Sequence, residues 1–233
     1  MKILAVFAHP DDEAFGPAGT LSRYAFTGHM VRLVTMTRGE AGTLGPAQHL
    51  TREELGRLRS GELQCSAAAL HLSELFIHDC PDGKLSELPA EEGVNILRRE
   101  IESWRPDILI TFHSGGISGH PDHQAVARWC MQAVREREVP PRLFAFGISG
   151  EQVRRAHHRR LIPIPENEIT HVIDVTPYLN YKLEAIRCHK SQSAAWERMK
   201  KVEGGIELYF RNEHFSQIWP EWFPRVCVSR LEN

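Results

Sequence analysis

Six consecutive apolar residues, Ile3 to Ala8, run without a break into His9-Pro10-Asp11-Asp12-Glu13. No other stretch limits the fold as tightly. The run is too short for a helix and lacks the alternation of a half-exposed strand, so it reads as a parallel strand covered on both faces. Parallel strands need crossover connections, and these bring helices with them. Polar side chains begin where the strand ends, the position at which open α/β sheets hold their ligands. Pro10 fixes its own φ and removes a backbone donor, which stiffens the turn.

The same pattern then recurs along the chain. Pro17 to Thr27 predicts a helix with Ala18, Leu21 and Ala25 on one face and Gly28 as its stop; Met30 to Met36 predicts a strand ending in the polar turn Thr37 to Gly42. Thr51 to Leu72 predicts a helix opened by a capping box between Thr51 and Glu54, and Glu74 to His78 a strand closed by Pro81-Asp82-Gly83. Pro89 to Trp104, Asp107 to Phe112 and Gln124 to Glu138 predict helix, buried strand and helix. The glycine-bearing loop from His113 to His123 joins the last two and ends in a His-x-x-His pair. Four such alternations predict a single-domain, Rossmann-like doubly wound sheet, mostly parallel, with helices on both faces. Its strand exits share one edge, so the segments at His9, Thr37, Asp82 and His120 are expected to meet.

Beyond residue 140 the pattern predicts strands over Arg142 to Ile148 and His171 to Val175, then a helix over Pro177 to Ser191. The basic run Arg154 to Arg160 reads as solvated surface. From Trp196 onward, Tyr209, Phe210, Phe215, Trp219, Trp222 and Phe223 point to packing or a subunit contact, and a homo-oligomer is one reading of them. With no break in composition, residues 1–233 are expected to form one domain, with 193–233 an extension packed on it.

Lys plus Arg number 28 against 30 for Asp plus Glu, a net charge of −2 that gives no reason to expect nucleic acid or an anionic membrane. A small-molecule partner is expected. The absence of any 18-residue apolar span leads to the expectation of a soluble, cytoplasmic protein. The five cysteines, at 65, 80, 130, 188 and 227, are odd in number, widely spaced and free of Cys-x-x-Cys pairs. They are expected to be reduced and mostly buried.

A metal at the sheet edge needs donors from separated segments. His9, one of the two aspartates Asp11 and Asp12, and His123 supply two imidazoles and a carboxylate, leaving a position for water as in catalytic rather than structural zinc sites. Spacing alone does not choose between the two aspartates.

The stretches Ala8-His-Pro-Asp-Asp-Glu13 and Gly119-His-Pro-Asp-His123 resemble the two signatures of the LmbE-like, PIG-L-type metal-dependent de-N-acetylases. That family includes deacetylases of N-acetylglucosaminyl-phosphatidylinositol and of mycothiol and bacillithiol synthesis. The resemblance extends over residues 2–192 through Thr37-x-Gly39-Glu40-x-Gly42, Arg59-x-x-Glu62, Asp82-Gly83 and Lys182 to Gln192. It implies that His9, Asp12 and His123 hold one zinc ion, with Fe(II) or another divalent metal able to take the same ligands. It further implies that Asp11 is the general base and that His120 stabilises the oxyanion or protonates the leaving amine. Asp122 then orients a histidine, and Arg59 and Asp82 lie near the sugar. For Arg59 and Glu62 an intrahelical ion pair is an equal alternative. The chain departs from some thiol-cofactor deacetylases at Ile117-Ser118, where they carry a tyrosine; a tyrosine donor would come from elsewhere.

The implied reaction is hydrolysis of an N-acetyl group from a small, soluble N-acetylglucosamine conjugate. Other readings are an amidase removing a larger acyl group, a non-haem iron oxygenase with the same ligand types, and a non-catalytic sugar- or nucleotide-binding module. The last lacks the Gly-x-Gly-x-x-Gly fingerprint after the first strand.

Overall fold

Every strand expected in the first 148 residues forms, and each is followed by its helix. The computed structural model describes residues 1–44, 49–221 and 228–231. In chain order the first part comprises β1 (Lys2–Phe7), α1 (Asp12–Phe15), α2 (Ala18–Phe26), β2 (Met30–Thr37), α3 (Arg52–Ala69), β3 (Glu74–Cys80), α4 (Ala90–Trp104), β4 (Ile108–Phe112), α5 (Gly116–Gly119), α6 (Pro121–Arg135), β5 (Arg142–Gly147) and α7 (Gly150–Ala156). It is followed by β6 (His171–Asp174), α8 (Leu179–Cys188), α9 (Ser193–Met199), α10 (Ile206–Phe210) and β7 (Asn212–Trp219). The sheet runs β3-β2-β1-β4-β5-β7-β6. Its first five strands pair in parallel, and β7 is antiparallel to both β5 and β6. Residues Ile3 to Phe7 are fully buried, as a central strand covered on both faces requires.

The helices form two groups, α4 with α6 and α2 and α3 with α8, one on each face of the sheet. Gly93 permits the close approach of α4 and α6, because a Cβ there would sit 2.2 Å from the Trp129 ring. Helix α3 begins with the capping box read from Thr51 and Glu54. Helix α6 starts at Pro121, three residues earlier than its apolar pattern indicates. His120 is its N-cap, with Nδ1 accepting from the Asp122 N–H at 3.3 Å, and proline occupies the first turn, where a missing donor costs nothing.

The aromatic tail contains a strand that its pattern conceals. β7 inserts between β5 and β6 and is covered on both sides, so Glu213, Ser216 and Gln217 are buried along with Phe215. Polar residues on the buried face erase the period-2 signal. Of the other aromatics, Tyr209 and Phe210 are buried, while Trp222 and Phe223 lie outside the described residues. The 154–160 run covers the end of α7 and the turn after it and is mostly exposed, as expected.

The cysteine expectation is corrected. Cys65 at the surface of α3 and Cys188 at the end of α8 form a disulfide across a sequence separation of 123. Neither position carries a local signal, because their proximity follows from the docking of α8 on α3. Cys80 is half-buried and Cys130 buried as thiols, burial pushing the Cys130 thiol up to about 12, and Cys227 lies outside the described residues. Among the described residues no helix is long and apolar enough to cross a membrane.

A buried ion pair ties the tail to the first turn. Lys182 of α8 and Glu213 of β7 lie 2.7 Å apart at 1% and 2% exposure. Glu213 also accepts the N–H groups of Gly19 and Thr20 at the start of α2, and Lys182 donates to the Gly16 carbonyl. Burial pulls the Lys182 ammonium below its usual range, opposed by the Glu213 carboxylate. Removing one partner strands the other charge in the interior, so Glu213→Leu is expected to destabilise the fold by about 3–5 kcal/mol. Adding Lys182→Met should recover part of that loss, measured by urea unfolding.

Candidate metal centre and active site

The four strand exits converge as the topology requires. His9 and Asp12 follow β1, Thr37 closes β2, Asp82 follows β3, and His120 and His123 open α6 beyond β4. Thr37 pins the first turn through its hydroxyl, which donates to the Ala8 carbonyl at 2.9 Å.

His9 presents its two ring nitrogens to different neighbours. Nε2 lies 3.1 Å from Asp82 Oδ1 and 3.2 Å from Asp122 Oδ2. Nδ1 lies 3.3 Å from Asp12 Oδ2 and 3.2 Å from His123 Nε2, and His123 Nε2 lies 3.2 Å from Asp12 Oδ1. The other nitrogen of His123 faces the Gly116 carbonyl at 3.1 Å. With Nε2 of His9 and Nδ1 of His123 as the protonated, donating nitrogens, the remaining two lone pairs and the Asp12 carboxylate face one another. Tetrahedral zinc with ligands at about 2.0–2.1 Å has ligand–ligand edges of roughly 3.3 Å. The two ring nitrogens meet at that spacing, and each lies as close to a different oxygen of Asp12, so the carboxylate can join them through either oxygen. Two other groupings, His9 with His120 and His123 and His9 with Asp82 and Asp122, are also close enough to share a cation. Asp122 is already bound by the N–H groups of Gly83 and Leu85 at 2.8 and 3.0 Å, and Asp82 by that of Ala41 at 2.7 Å.

The electrostatics follow from this crowding. Burial works against charge on Asp12, but His123 and His9 hold its carboxyl well below the usual range. Burial likewise opposes protonation of His9, while hydrogen bonds to Asp12, Asp122 and Asp82 raise it well above the usual imidazole value. His120 is lowered, first by burial and then by His9 and His123. With Nδ1 accepting at the helix cap, its neutral form carries the proton on Nε2. Asp122 stays below the usual range because its hydrogen bonds from His9 and Gly83 outweigh its burial.

Asp11 stands apart from the donor cluster. Burial pushes its carboxyl up to about 6, against the pull of Arg59 and with the repulsion of Asp12. Its φ is 107°, unusual for a residue with a side chain, and β-branched Ile117, a non-helical residue within α5, has φ 63°. The Asp11 N–H donates to Glu13 Oε2 at 3.1 Å, and buried Glu13 is held in turn by Ser66 at 2.5 Å and His189 at 2.7 Å. Glu13 was not among the sequence candidates, although it closes the 8–13 stretch; its role rests on burial, which only the structure shows.

Arg59 and Glu62 do not pair with each other. Glu62 accepts from the Ser191 N–H and hydroxyl at 2.7 and 2.6 Å. Arg59 is buried and donates to the Gly39 and Pro10 carbonyls, with Nη2 3.2 Å from Asp11 Oδ2. Gly39, at φ +70°, leaves the room: a Cβ there would lie 2.3 Å from Arg59 Nη1. A tyrosine does reach the cavity, but from the tail: Tyr209 lines it, and burial pushes its hydroxyl up to about 12. The cavity holds about 530 Å³, within the range of small-molecule sites.

Residues 4–134 match the model of the PIG-L family, GlcNAc-PI de-N-acetylases, and the chain belongs to that family. The 1D-myo-inositol 2-acetamido-2-deoxy-alpha-D-glucopyranoside deacetylase of Saccharomonospora viridis is 31% identical over 240 residues, 88% of this chain and 90% of its own. Among solved structures, the N,N'-diacetylchitobiose deacetylase of Pyrococcus horikoshii superposes with a TM-score of 0.69 at 21% identity, over 92% of this chain and 82% of its own. The 4-carboxy-2-hydroxymuconate hydratase of Pseudomonas putida KT2440 does so equally well, with a TM-score of 0.69 at 17% identity over 97% and 99% of the two chains.

The contacts of Arg59 predict a brace for the Asp11 turn. Arg59→Met is expected to lower kcat about 10²-fold with little change in KM, because misplacing a reacting group by about 1 Å costs that much. Steady-state kinetics with an N-acetylglucosamine conjugate would check it; a rise in KM at unchanged kcat would place Arg59 on the sugar instead.

Proposed function

We propose that this chain is a metal-dependent hydrolase that removes the N-acetyl group from an N-acetylglucosamine conjugate. The observation that carries the reading is the convergence of His9 Nδ1, Asp12 and His123 Nε2 at 3.2–3.3 Å beside a carboxylate, Asp11, that takes no part in the cluster. A fold shared with a hydratase does not select the chemistry, whereas family membership and the 31% identical deacetylase support amide hydrolysis on an amino sugar. The relative's named substrate supplies the class, a small glycoside of N-acetylglucosamine.

His9, Asp12 and His123 would hold the ion, which we take to be zinc; Fe(II) suits the same donors. When bound it polarises the amide carbonyl and water for attack. Asp11 accepts the proton of the attacking water at its carboxylate, positioned by Arg59 and the Glu13 hydrogen bond. His120 donates an Nε2–H hydrogen bond to the developing oxyanion, and the proton taken up by Asp11 passes to the departing amine. Asp122 and Asp82 fix the ring of His9 through Nε2, which aims Nδ1 into the cluster.

Acetate release from an N-acetylglucosamine conjugate should require metal, stop with chelator and return with zinc. His123→Ala should lose both the metal equivalent and the activity; full metal content with unchanged turnover would refute the ligand set. Asp11→Asn should keep its metal, by elemental analysis, and lose about 10² to 10⁴ in kcat, the usual contribution of a general base. Purified, zinc-loaded protein that binds such sugars without releasing any acid would sink the hydrolase reading.

A further inference from the structure

We propose that the outer half of the cavity is a subsite for an apolar alkyl or aryl substituent of the amino-sugar conjugate, a proposal that rests on the deacetylase reading. The cavity has two unlike halves. Its inner end carries the polar residues His9, Asp11, Asp12, Asp82, His120 and His123. Much of the rest of its wall comes from the end of β5, the turn after α7, and α9, the loop after it and α10, where Phe146, Leu161, Met199, Val202, Tyr209 and Phe210 supply the apolar surface. Phe146, Val202, Tyr209 and Phe210 are buried there.

Three polar side chains of the outer wall, Lys182, Glu213 and Gln152, are occupied by the protein itself. Lys182 and Glu213 neutralise each other and spend their remaining bonds on Gly16, Gly19 and Thr20. Gln152 donates to the Tyr209 carbonyl at 2.9 Å and accepts from the Ser149 N–H at 2.9 Å. Asn212 and the Tyr209 hydroxyl remain among the described lining residues, and Arg198 and His158 stand exposed at the rim. An inositol ring brings several hydroxyls, each of which loses its water on entering such a wall and needs a new partner. An alkyl chain or aryl ring needs none, and gains from every methylene it buries. The substrate named for the Saccharomonospora viridis relative therefore matches the inner end of this cavity better than the outer.

The chemistry admits two sources for the apolar group, the aglycone and the acyl chain, and one experiment separates them. Initial rates of amine release would be measured with zinc-loaded protein on four conjugates: the N-acetylglucosaminyl inositol, the N-acetylglucosaminyl malate, octyl N-acetylglucosaminide and N-octanoylglucosamine. At least one octyl compound should exceed the inositol and malate conjugates tenfold or more in kcat/KM, and the arm that gains identifies the aglycone or the acyl group. Ala195→Trp, which fills the outer half from α9, should abolish that ratio; Met199→Gln, a milder change at the same wall, should narrow it. Equal or lower kcat/KM for both octyl compounds overturns the proposal, as does a ratio unmoved in both variants. Calorimetric binding keeps the two readings apart: if no conjugate yields amine, yet an octyl compound binds at least tenfold more tightly than the inositol conjugate, the subsite stands and the deacetylase reading falls.

Discussion

The site depends on the division of labour between the two nitrogens of one imidazole. His9 follows directly on the buried first strand, and its Nε2 is held between Asp82 and Asp122. A histidine free to spin about its side-chain torsions would offer either nitrogen to a ligand; with Nε2 held by two carboxylates, this one turns Nδ1 toward Asp12 and His123. The orientation comes from three strand exits at once, because Asp82 belongs to the turn after β3 and Asp122 to the first turn of α6 beyond β4. The backbone N–H groups of Ala41, Gly83 and Leu85 bind those carboxylates in turn, so the polar network is closed on the side away from the donor cluster.

Much of this was legible in the chain. Ile3 to Ala8 forecast the central strand because burial on both faces leaves no alternation to misread, and the capping box at Thr51 forecast the start of α3. The convergence of the segments at His9, Thr37, Asp82 and His120 followed from topology alone. What could not be read depends on long-range docking. The 65–188 disulfide joins residues that meet only when α8 settles on α3. Strand β7 was hidden because buried polar residues break its alternation; one of them, Glu213, is held by Lys182 and the start of α2, which the local sequence does not reveal. The contacts of Arg59 were unreadable for the same reason, since both carbonyls it binds belong to loops brought to α3 by the sheet.

The turn that carries Asp11 combines an unusual backbone angle with dense support. A non-glycine residue at φ 107° is costly, and it persists only where the surroundings hold it. Here Arg59 grips the turn through the Pro10 carbonyl and Asp11, while Glu13 holds the Asp11 N–H from the other side. Glu13 is anchored by Ser66 and His189, and these two residues directly follow the disulfide-bonded Cys65 and Cys188 in sequence. The covalent link thus sits one residue from both anchors of the carboxylate that steadies Asp11. Opening it with a reductant would leave those anchors to non-covalent packing alone.

Strand order also dictates a sequence of assembly. Among the described residues β6 pairs with β7 and with no other named strand, so it gains its strand partner only when β7 arrives. The elements from β1 to α6 can pair with one another as they leave the ribosome, whereas β6 must wait through α8, α9 and α10. The family match over residues 4–134 coincides with the early part, and the apolar outer wall of the cavity with the late one. A ribosome-bound chain would therefore bring His9, Asp12 and His123 together before His189 and the wall of the chamber arrive to complete the Asp11 turn.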